Sequence, residues 1–270
     1  MGVDRYTNSG TFLGTLIAPG SGGLADAQGV AVSASGHIYV GDFTNDNILR
    51  FNPDGSFLDV FASGLAVDTP FDVVFGPNGN LFIASAGEDS NITQLDRNTG
   101  AVITDNFTSG NVSPIGGPQY LEFGPALAVT DIAGRLFRFD ASTGVHISTF
   151  FFDNPEGVTY NAAGDLFVAQ RISDNVLRLP AGGGPAQVVI PTGAFGGAPA
   201  DMEIGPDGLL YLSADQIYRF DVSGGAGVLV DSFGAGGEFI TFVPAEIPEP
   251  GTAMLICGGL AFVMARRMRA

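Results

Sequence analysis

One short element recurs six times along the chain and constrains the fold more than any other feature. Each copy is a basic or polar residue, then an apolar one, then a turn that ends in glycine, as in Arg50-Phe51 before the turn at 52–55. The apolar members lie at positions 6, 51, 95, 139, 179 and 220, so successive copies are 45, 44, 44, 40 and 41 residues apart. This regular spacing indicates an array of similar structural units.

Within each period the apolar residues have the pattern of β-strands. For example, residues 72–75 and 81–84 are rich in Val, Ile and Phe and flank the turn Pro77-Asn78-Gly79. Such runs on either side of an Asn-Gly turn are typical of β-hairpins. Four strands in a period of about 43 residues correspond to one blade of a propeller. Because residues 1–245 show no sustained helical periodicity, we expect an all-β, six-bladed β-propeller over this range.

The two ends of this region predict how the ring closes. The chain begins inside a blade, at the strand that contains Arg5-Tyr6, whereas residues 238–244 resemble the first strand of a blade. Pairing a C-terminal first strand with N-terminal outer strands removes the open edge of the ring. No strand pattern follows 244 or precedes residue 4, so we expect the closing blade to be one strand short. We also expect the natural start, with an export signal and this strand, to lie upstream.

Residues 246–270 form a second segment with a different character. Residues 252–265 are uncharged and mostly apolar, and three arginines follow within the last five positions. As a helix, 14 residues would span ~21 Å, less than a hydrocarbon core of ~30 Å. A buried terminal helix and a short membrane anchor are both compatible with this length, and the basic end favours the anchor.

The order of features in this tail resembles the PEP-CTERM sorting signal of exported bacterial proteins. The resemblance covers about 25 residues and rests on a proline-glutamate-proline triplet, a short apolar segment and the arginine cluster. The residues that carry it are Pro248, Glu249, Pro250, Arg266, Arg267 and Arg269. It implies an exported protein of the envelope or extracellular matrix, whose tail holds it transiently in the inner membrane until an exosortase processes it.

The charge of the chain excludes one class of partner. The 28 acidic and 11 basic residues give a net charge of −17, and every basic residue is arginine. A body this acidic is repelled by phosphate backbones, so we expect no nucleic-acid partner. The single cysteine, Cys257, excludes an internal disulfide and a thiolate metal site.

The starts of the predicted first strands carry the strongest candidates for a site. Six polar residues recur there and should gather at the mouth of the central channel: Gln28, Asp72, Gln119, Glu156, Asp201 and Glu238. We predict Glu156, Asp72 and Asp201 as ligands of Ca²⁺ or another divalent cation, because hard oxygen ligands suit such ions. The alternative is that all six hydrate the channel and cap strand ends. We assign no catalytic residue, since His37 and His146 occupy unrelated blade positions that favour surface or packing roles.

The blades also resemble NHL repeats, most clearly at residues 36–51 (GHIYVGDFTNDNILRF), and the resemblance extends roughly over residues 3–244. Related six-bladed propellers include binding modules, streptogramin lyases and the gluconolactonase group, which holds a divalent metal at the channel mouth. Pro155-Glu156-Gly157 is similar to the Glu-Gly strand start that supplies a metal ligand in that group. We therefore expect an exported, monomeric binding scaffold whose partners are an exosortase and an exopolysaccharide or envelope protein. The alternative is a divalent-metal-dependent lactonase or lyase.

Overall fold

The fold is all-β, and it is seen in a computed structural model that describes residues 2–88, 90–108, 115–243 and 253–257. In these ranges the strands are interrupted only by turns, loops and two short 3₁₀ segments, Ser21–Gly23 and Leu65–Val67. The strands form six four-stranded sheets, and all strand pairs are antiparallel. The prediction of an all-β propeller is confirmed.

The chain opens with β1 (Val3–Thr7) and β2 (Phe12–Ile17), and five complete blades of four consecutive strands follow. Blade 1 contains β3 (Ala27–Val32), β4 (Ile38–Asp42), β5 (Asn47–Phe51) and β6 (Phe57–Ser63). Blade 2 contains β7 (Pro70–Phe75), β8 (Leu81–Ser85), β9 (Asn91–Leu95) and β10 (Val102–Thr104). Blade 3 contains β11 (Pro118–Phe123), β12 (Leu127–Asp131), β13 (Arg135–Phe139) and β14 (His146–Phe151). Blade 4 contains β15 (Pro155–Tyr160), β16 (Leu166–Gln170), β17 (Asn175–Leu179) and β18 (Gln187–Ile190). Blade 5 contains β19 (Met202–Ile204), β20 (Leu210–Ser213), β21 (Ile217–Asp221) and β22 (Val228–Phe233).

The remaining sheet joins the two ends of the chain and is called the closing sheet below. It combines β23 (Phe239–Phe242) and β24 (Ala253–Cys257) with the first two strands, in the order β2-β1-β24-β23. The innermost strands of the blades contact one another in succession, from β3 through β7, β11, β15 and β19 to β23, which contacts β3 again. The innermost strands therefore surround a central channel.

Residues 253–257 form β24, so the expectation of an apolar C-terminal helix is wrong for these residues. The closing sheet has four strands, so the expectation that it lacks a strand is also wrong. β24 pairs with β1 on one side and with β23 on the other. A helix forms hydrogen bonds within its own backbone and would leave the edges of β1 and β23 unpaired. A strand between them forms hydrogen bonds with both edges. The predicted sorting residues Pro248, Glu249, Pro250, Arg266, Arg267 and Arg269 lie outside the described residues.

The recurring sequence element marks the third strand of each blade. Its apolar member is fully buried at Phe51, Leu95 and Phe139, where it packs between the sheets. Its arginine has a different role: Arg50 lies directly opposite Asp59 on the fourth strand and forms an ion pair with it. Arg219 and Asp231 are paired in the same way in blade 5. The repeat therefore encodes a core residue and, in blades 1 and 5, a cross-strand ion pair.

Candidate functional site at the channel mouth

The six predicted channel residues occupy two levels of the channel. Counted back from the last residue of each innermost strand, Gln28, Gln119, Glu156 and Glu238 lie four residues earlier, whereas Asp72 and Asp201 lie three residues earlier. The offset of one residue turns a side chain to a different side of the strand. The structure therefore divides the predicted ring into a group of four and a pair.

The pair joins neighbouring innermost strands to each other. The carboxylate of Asp72 accepts hydrogen bonds from the backbone N–H of Val73 at 2.7 Å and of Leu121, in the next blade, at 2.8 Å. Asp201 accepts in the same way from Met202 at 2.8 Å and from Ile240, in the closing sheet, at 2.9 Å. The oxygens of both carboxylates thus accept hydrogen bonds from backbone N–H groups of two sheets. Each carboxylate acts as a clamp, by which we mean that it links one sheet to its neighbour.

The group of four lies at one end of the channel, which we call the mouth and define by Gln28, Gln119, Glu156 and Glu238, together with Tyr120 and Arg171. Glu156 is only 3% exposed. Its Oε1 atom accepts a hydrogen bond from Asn154 Nδ2 at 3.0 Å and lies 3.5 Å from Arg171 Nη1. Of the three predicted metal ligands, only Glu156 belongs to the mouth.

Burial shifts the acidity of the two mouth carboxylates. It raises the pKa of Glu156 to about 7, although the nearby Arg171 guanidinium acts in the opposite direction. Burial also raises the pKa of Glu238, which Arg171 lowers and the charge of Asp26 raises further. A carboxyl group with a pKa near neutrality can both accept and release a proton at physiological pH.

Two buried amide oxygens of the mouth have no hydrogen-bond partner within the part of the chain that the structure describes. They are Gln28 Oε1 and Gln119 Oε1. Tyr120 lies beside Glu156: burial raises the pKa of its phenol well above its usual value, the charge of Glu156 adds to this effect, and a hydrogen bond between the two side chains acts to lower the pKa of Glu156. Because buried polar groups are almost always paired, the two unpaired amide oxygens indicate that the mouth binds a partner.

A pocket of about 520 Å³ opens beside the mouth. Arg171, Glu238 and Asp215 provide its charged groups, and the remaining lining residues are glycines and alanines. Asp215 is held in place because its Oδ1 accepts a hydrogen bond from the Tyr218 hydroxyl at 2.7 Å. Small residues leave this volume open, so a small molecule that enters the pocket lies next to Glu238 and Arg171.

A second acidic cluster lies deeper in the channel. Glu122 and Glu203 join Asp72 and Asp201 around a cavity of about 200 Å³, and the described residues that line it include no basic side chain. Burial raises the pKa of Glu122 to about 8, and the charge of Asp72 adds to the shift. Burial raises the pKa of Glu203 well above its usual range as well. Glu122 is therefore mostly protonated at neutral pH.

The predicted metal ligands do not converge on one point. Across the described ranges, no group of three or more His, Cys, Asp or Glu side chains has a geometry that could hold a metal ion. The two histidines lie elsewhere: His37 contacts Ser35 in the turn before β4, and His146 contacts Thr149 on the outermost strand of blade 3. These positions agree with their interpretation as surface or packing residues.

Sequence reasoning missed Arg171, Tyr120, Glu122 and Glu203. Arg171 follows β16 and reaches Glu156 from the neighbouring loop, a contact that no local pattern encodes. Glu122 and Glu203 did carry a signal. Both occupy a strand position where the other innermost strands have Ala31, Val74, Thr159 or Thr241, and a glutamate stands out there.

Comparison with known proteins establishes the fold. No protein-family model matches the sequence, and no curated protein matches it. Among solved structures, the chain is similar to a gluconolactonase from Xanthomonas campestris, with a TM-score of 0.66 and 17% identity over 86% of each chain. It is also similar to virginiamycin B lyase from Staphylococcus aureus, with a TM-score of 0.60 and 15% identity over 84% of this chain and 72% of that one. A chain of a nidogen/laminin complex matches with a TM-score of 0.64 and 14% identity over 86% of this chain and 92% of that one.

Proposed function

We propose that the channel mouth is the active site of a divalent-cation-dependent enzyme that opens a small cyclic ester, in the manner of a lactonase or a lyase. The observation that carries this proposal is the buried carboxyl group of Glu156 at the same end of the channel as two buried amide oxygens, of Gln28 and Gln119, that lack partners in the described residues. The overall fold is shared with a gluconolactonase and with virginiamycin B lyase.

The donor atoms at the mouth suit a hard cation. Glu156 and Glu238 provide carboxylate oxygens, while Gln28 and Gln119 provide amide oxygens that are buried and unpaired. Carboxylate and amide oxygens are the ligands that Ca²⁺ and Mg²⁺ prefer. We infer that Glu156, Gln28 and Gln119 would hold the ion, in place of the set of Glu156, Asp72 and Asp201 expected from sequence. When bound, the cation supplies Lewis acidity to a carbonyl oxygen or lowers the pKa of a water molecule.

The side chains at the mouth can carry the proton transfers of ester opening. Glu238, which lines the adjoining pocket and whose pKa is raised by burial, accepts a proton from the water that attacks the carbonyl carbon, and it returns this proton to the ring oxygen as the carbon–oxygen bond breaks. Arg171, 3.5 Å from Glu156, is placed to donate hydrogen bonds to the oxyanion that develops on the carbonyl. The adjoining pocket holds the rest of the substrate beside these groups.

A lactone-hydrolysis assay with a matched pair of variants tests the proposal. A panel of sugar lactones is assayed with Ca²⁺, Mg²⁺ or Mn²⁺ for wild type, Glu156→Gln and Glu122→Gln. We expect Glu156→Gln to lower kcat/KM by ~100-fold or more, since it removes the carboxylate ligand of the cation. Glu122→Gln makes the same change deeper in the channel and should retain activity. Equal activity in the two variants, or no activity with any lactone, would contradict the proposal.

A second candidate is the exported binding scaffold. Its specific support is a belt of exposed apolar side chains on the outermost strands, including Phe57, Val102, Ile147 and Val228, each at least 42% exposed. Exposed apolar groups on strand edges mark interaction surfaces. The tail resemblance adds export, transient membrane anchoring and processing by an exosortase to this proposal. Within the described ranges, no helix is both long and apolar enough to span a bilayer.

Mass spectrometry of the protein from its native host tests this candidate. Processing predicts a mature chain without the residues after the Pro-Glu-Pro triplet, located outside the cell. A chain found outside the cell with an intact end at Ala270 would refute the processing step.

The closing sheet is part of the enzyme proposal, whereas processing after the Pro-Glu-Pro triplet would remove β24 from it. We infer that it acts as the sixth blade, because β23 contacts the innermost strands of blades 1 and 5. The mouth includes Glu238, directly before β23, so its geometry depends on this sheet.

A further inference from the structure

The closing sheet contains a strand that is paired along both of its edges. β24 pairs with β1 from Val3 opposite Cys257 to Thr7 opposite Ala253. On its other side it pairs with β23, from Phe239 opposite Cys257 to Phe242 opposite Met254. At its centre Leu255 is fully buried, in the same apolar cluster as Val3 and Ile17.

β24 fills a gap one strand wide between β1 and β23, and we call this gap the β1/β23 slot. Because neighbouring strands lie ~4.8 Å apart, β1 and β23 are separated by ~10 Å and present two open edges to whatever fills the space between them. The occupant must run antiparallel to both neighbours and must place a large aliphatic side chain where Leu255 lies. The slot therefore selects an extended apolar segment.

The connection that leads into β24 is longer than its position requires. Adjacent antiparallel strands need a loop of 2–5 residues, and the turn between β1 and β2 has four, residues 8–11. Ten residues, 243–252, connect β23 to β24, and an extended chain of that length spans ~33 Å. Such a connection allows the strand to reach beyond its own molecule.

We propose that the β1/β23 slot is a strand-acceptor site that also takes residues 253–257 of a second copy, which gives a strand-swapped dimer. A second copy supplies the same sequence, residues 253–257, so this segment fits the slot. The swapped form reproduces every contact of β24. A connection of ten residues gives the chain's own strand an effective concentration in the millimolar range. The swapped dimer should therefore form at chain concentrations of ~1 mM and be scarce at ~10 μM.

The single cysteine makes exchange directly measurable. The variant Val3→Cys with Cys257→Ser carries its only thiol opposite position 257, and wild type carries its only thiol at 257. The two proteins are incubated together at ~1 mM and at ~10 μM, oxidised mildly and separated without reductant, and the mixed disulfide is identified by peptide mass spectrometry. The control is Thr7→Cys with Cys257→Ser. Its thiol faces position 253, four residues or ~13 Å from 257, so it should not react.

The expected result is a mixed disulfide with Val3→Cys, whose yield rises roughly in proportion to chain concentration while the dimer is the minor form. A second variant, Val3→Cys with Cys257 retained, should form its disulfide within one chain at ~10 μM, which shows that the strand occupies the slot. Absence of the mixed disulfide at both concentrations, or an equal yield from the Thr7→Cys control, would overturn the proposal. Failure of the intramolecular disulfide would also overturn it.

Discussion

At the scale of single residues, the partners of each channel carboxylate determine its role. Asp72 and Asp201 accept hydrogen bonds from backbone N–H groups of neighbouring innermost strands, so their oxygens are used within the fold. Glu156 instead meets side chains, Asn154 and Arg171, next to unpaired oxygens. The first arrangement stabilises the ring, and the second leaves a carboxylate available to a ligand.

Removal of an inter-sheet clamp should destabilise the protein. We expect Asp72→Ala to lower the free energy of unfolding by ~1–3 kcal/mol, because the buried N–H of Leu121 loses its acceptor at 2.8 Å. Asp72→Asn keeps one acceptor oxygen but sets its NH₂ group against the second backbone N–H donor, so it should also destabilise the protein. Denaturant unfolding measures both values. The control is Asp54→Ala at an exposed turn, for which we expect less than ~1 kcal/mol; equal losses at positions 72 and 54 would contradict the clamp.

The buried carboxylates predict that stability falls as pH rises. The pKa is about 7 for Asp72 and Glu156 and about 8 for Glu122 in the folded protein, all above the unfolded values near 4. The folded state thus binds more protons than the unfolded state across this range, so the unfolding free energy should decrease from about pH 5 to about pH 8. Asp140, whose exposed carboxyl has a pKa lowered to about 2 by hydroxyl and N–H donors, acts only below this window. Thermal unfolding between pH 5 and 9 checks the trend, and Glu122→Gln should flatten it; stability that rises with pH would contradict it.

At the scale of strands and sheets, local pattern predicts the blades well and their mutual alignment poorly. The turns at 34–36 and 77–79 lie where the sequence places them, between the first and second strands of blades 1 and 2. The one-residue offset between Asp72 and Glu156 was not predictable, because irregular pairing near the start of several innermost strands changes the register. The contact between Arg171 and Glu156 also depends on the packing of the loop after β16 against the neighbouring strand β15. The spacing of apolar residues in the sequence does not predict such a contact.

The C-terminal strand shows the same limit. Residues 252–265 are apolar throughout, and such a run cannot be assigned to helix or strand by periodicity alone. Residues 253–257 form a strand because the edges of β1 and β23 are open to pairing. These two strands lie about 250 and 15 residues away in the chain. A long-range pairing of this kind overrides the local pattern.

Truncation of the central side chain of β24 should have a large effect. We expect Leu255→Ala to cost ~2–5 kcal/mol of unfolding free energy, because Leu255 is fully buried and its removal leaves a cavity in the core. Val102→Ala on the exposed outermost strand of blade 2 serves as the control and should cost much less. Equilibrium denaturation of the full chain decides between them. Identical stabilities of Leu255→Ala and wild type would show that the strand does not contribute to the core.

At the scale of the whole molecule, four of the six sheets bring a glutamine or a glutamate to one end of the channel. Each innermost strand begins near the channel, so side chains that are more than 200 residues apart, such as Gln28 and Glu238, share the mouth. The net charge of −17 attracts cations to such a channel and keeps phosphate backbones away. This arrangement follows from the repeat, and it is the basis for the proposed cation-dependent site.

Calcium binding measured by calorimetry and thermal unfolding tests this central claim most directly. We predict one Ca²⁺ per chain and a stabilisation of ~2.7 kcal/mol at a free concentration a hundredfold above Kd. Glu156→Gln should abolish or strongly weaken both, because it removes a carboxylate donor from the mouth, whereas Glu122→Gln should preserve them. No binding to wild type, or binding that Glu156→Gln leaves unchanged, would contradict the assignment of the channel mouth as the site.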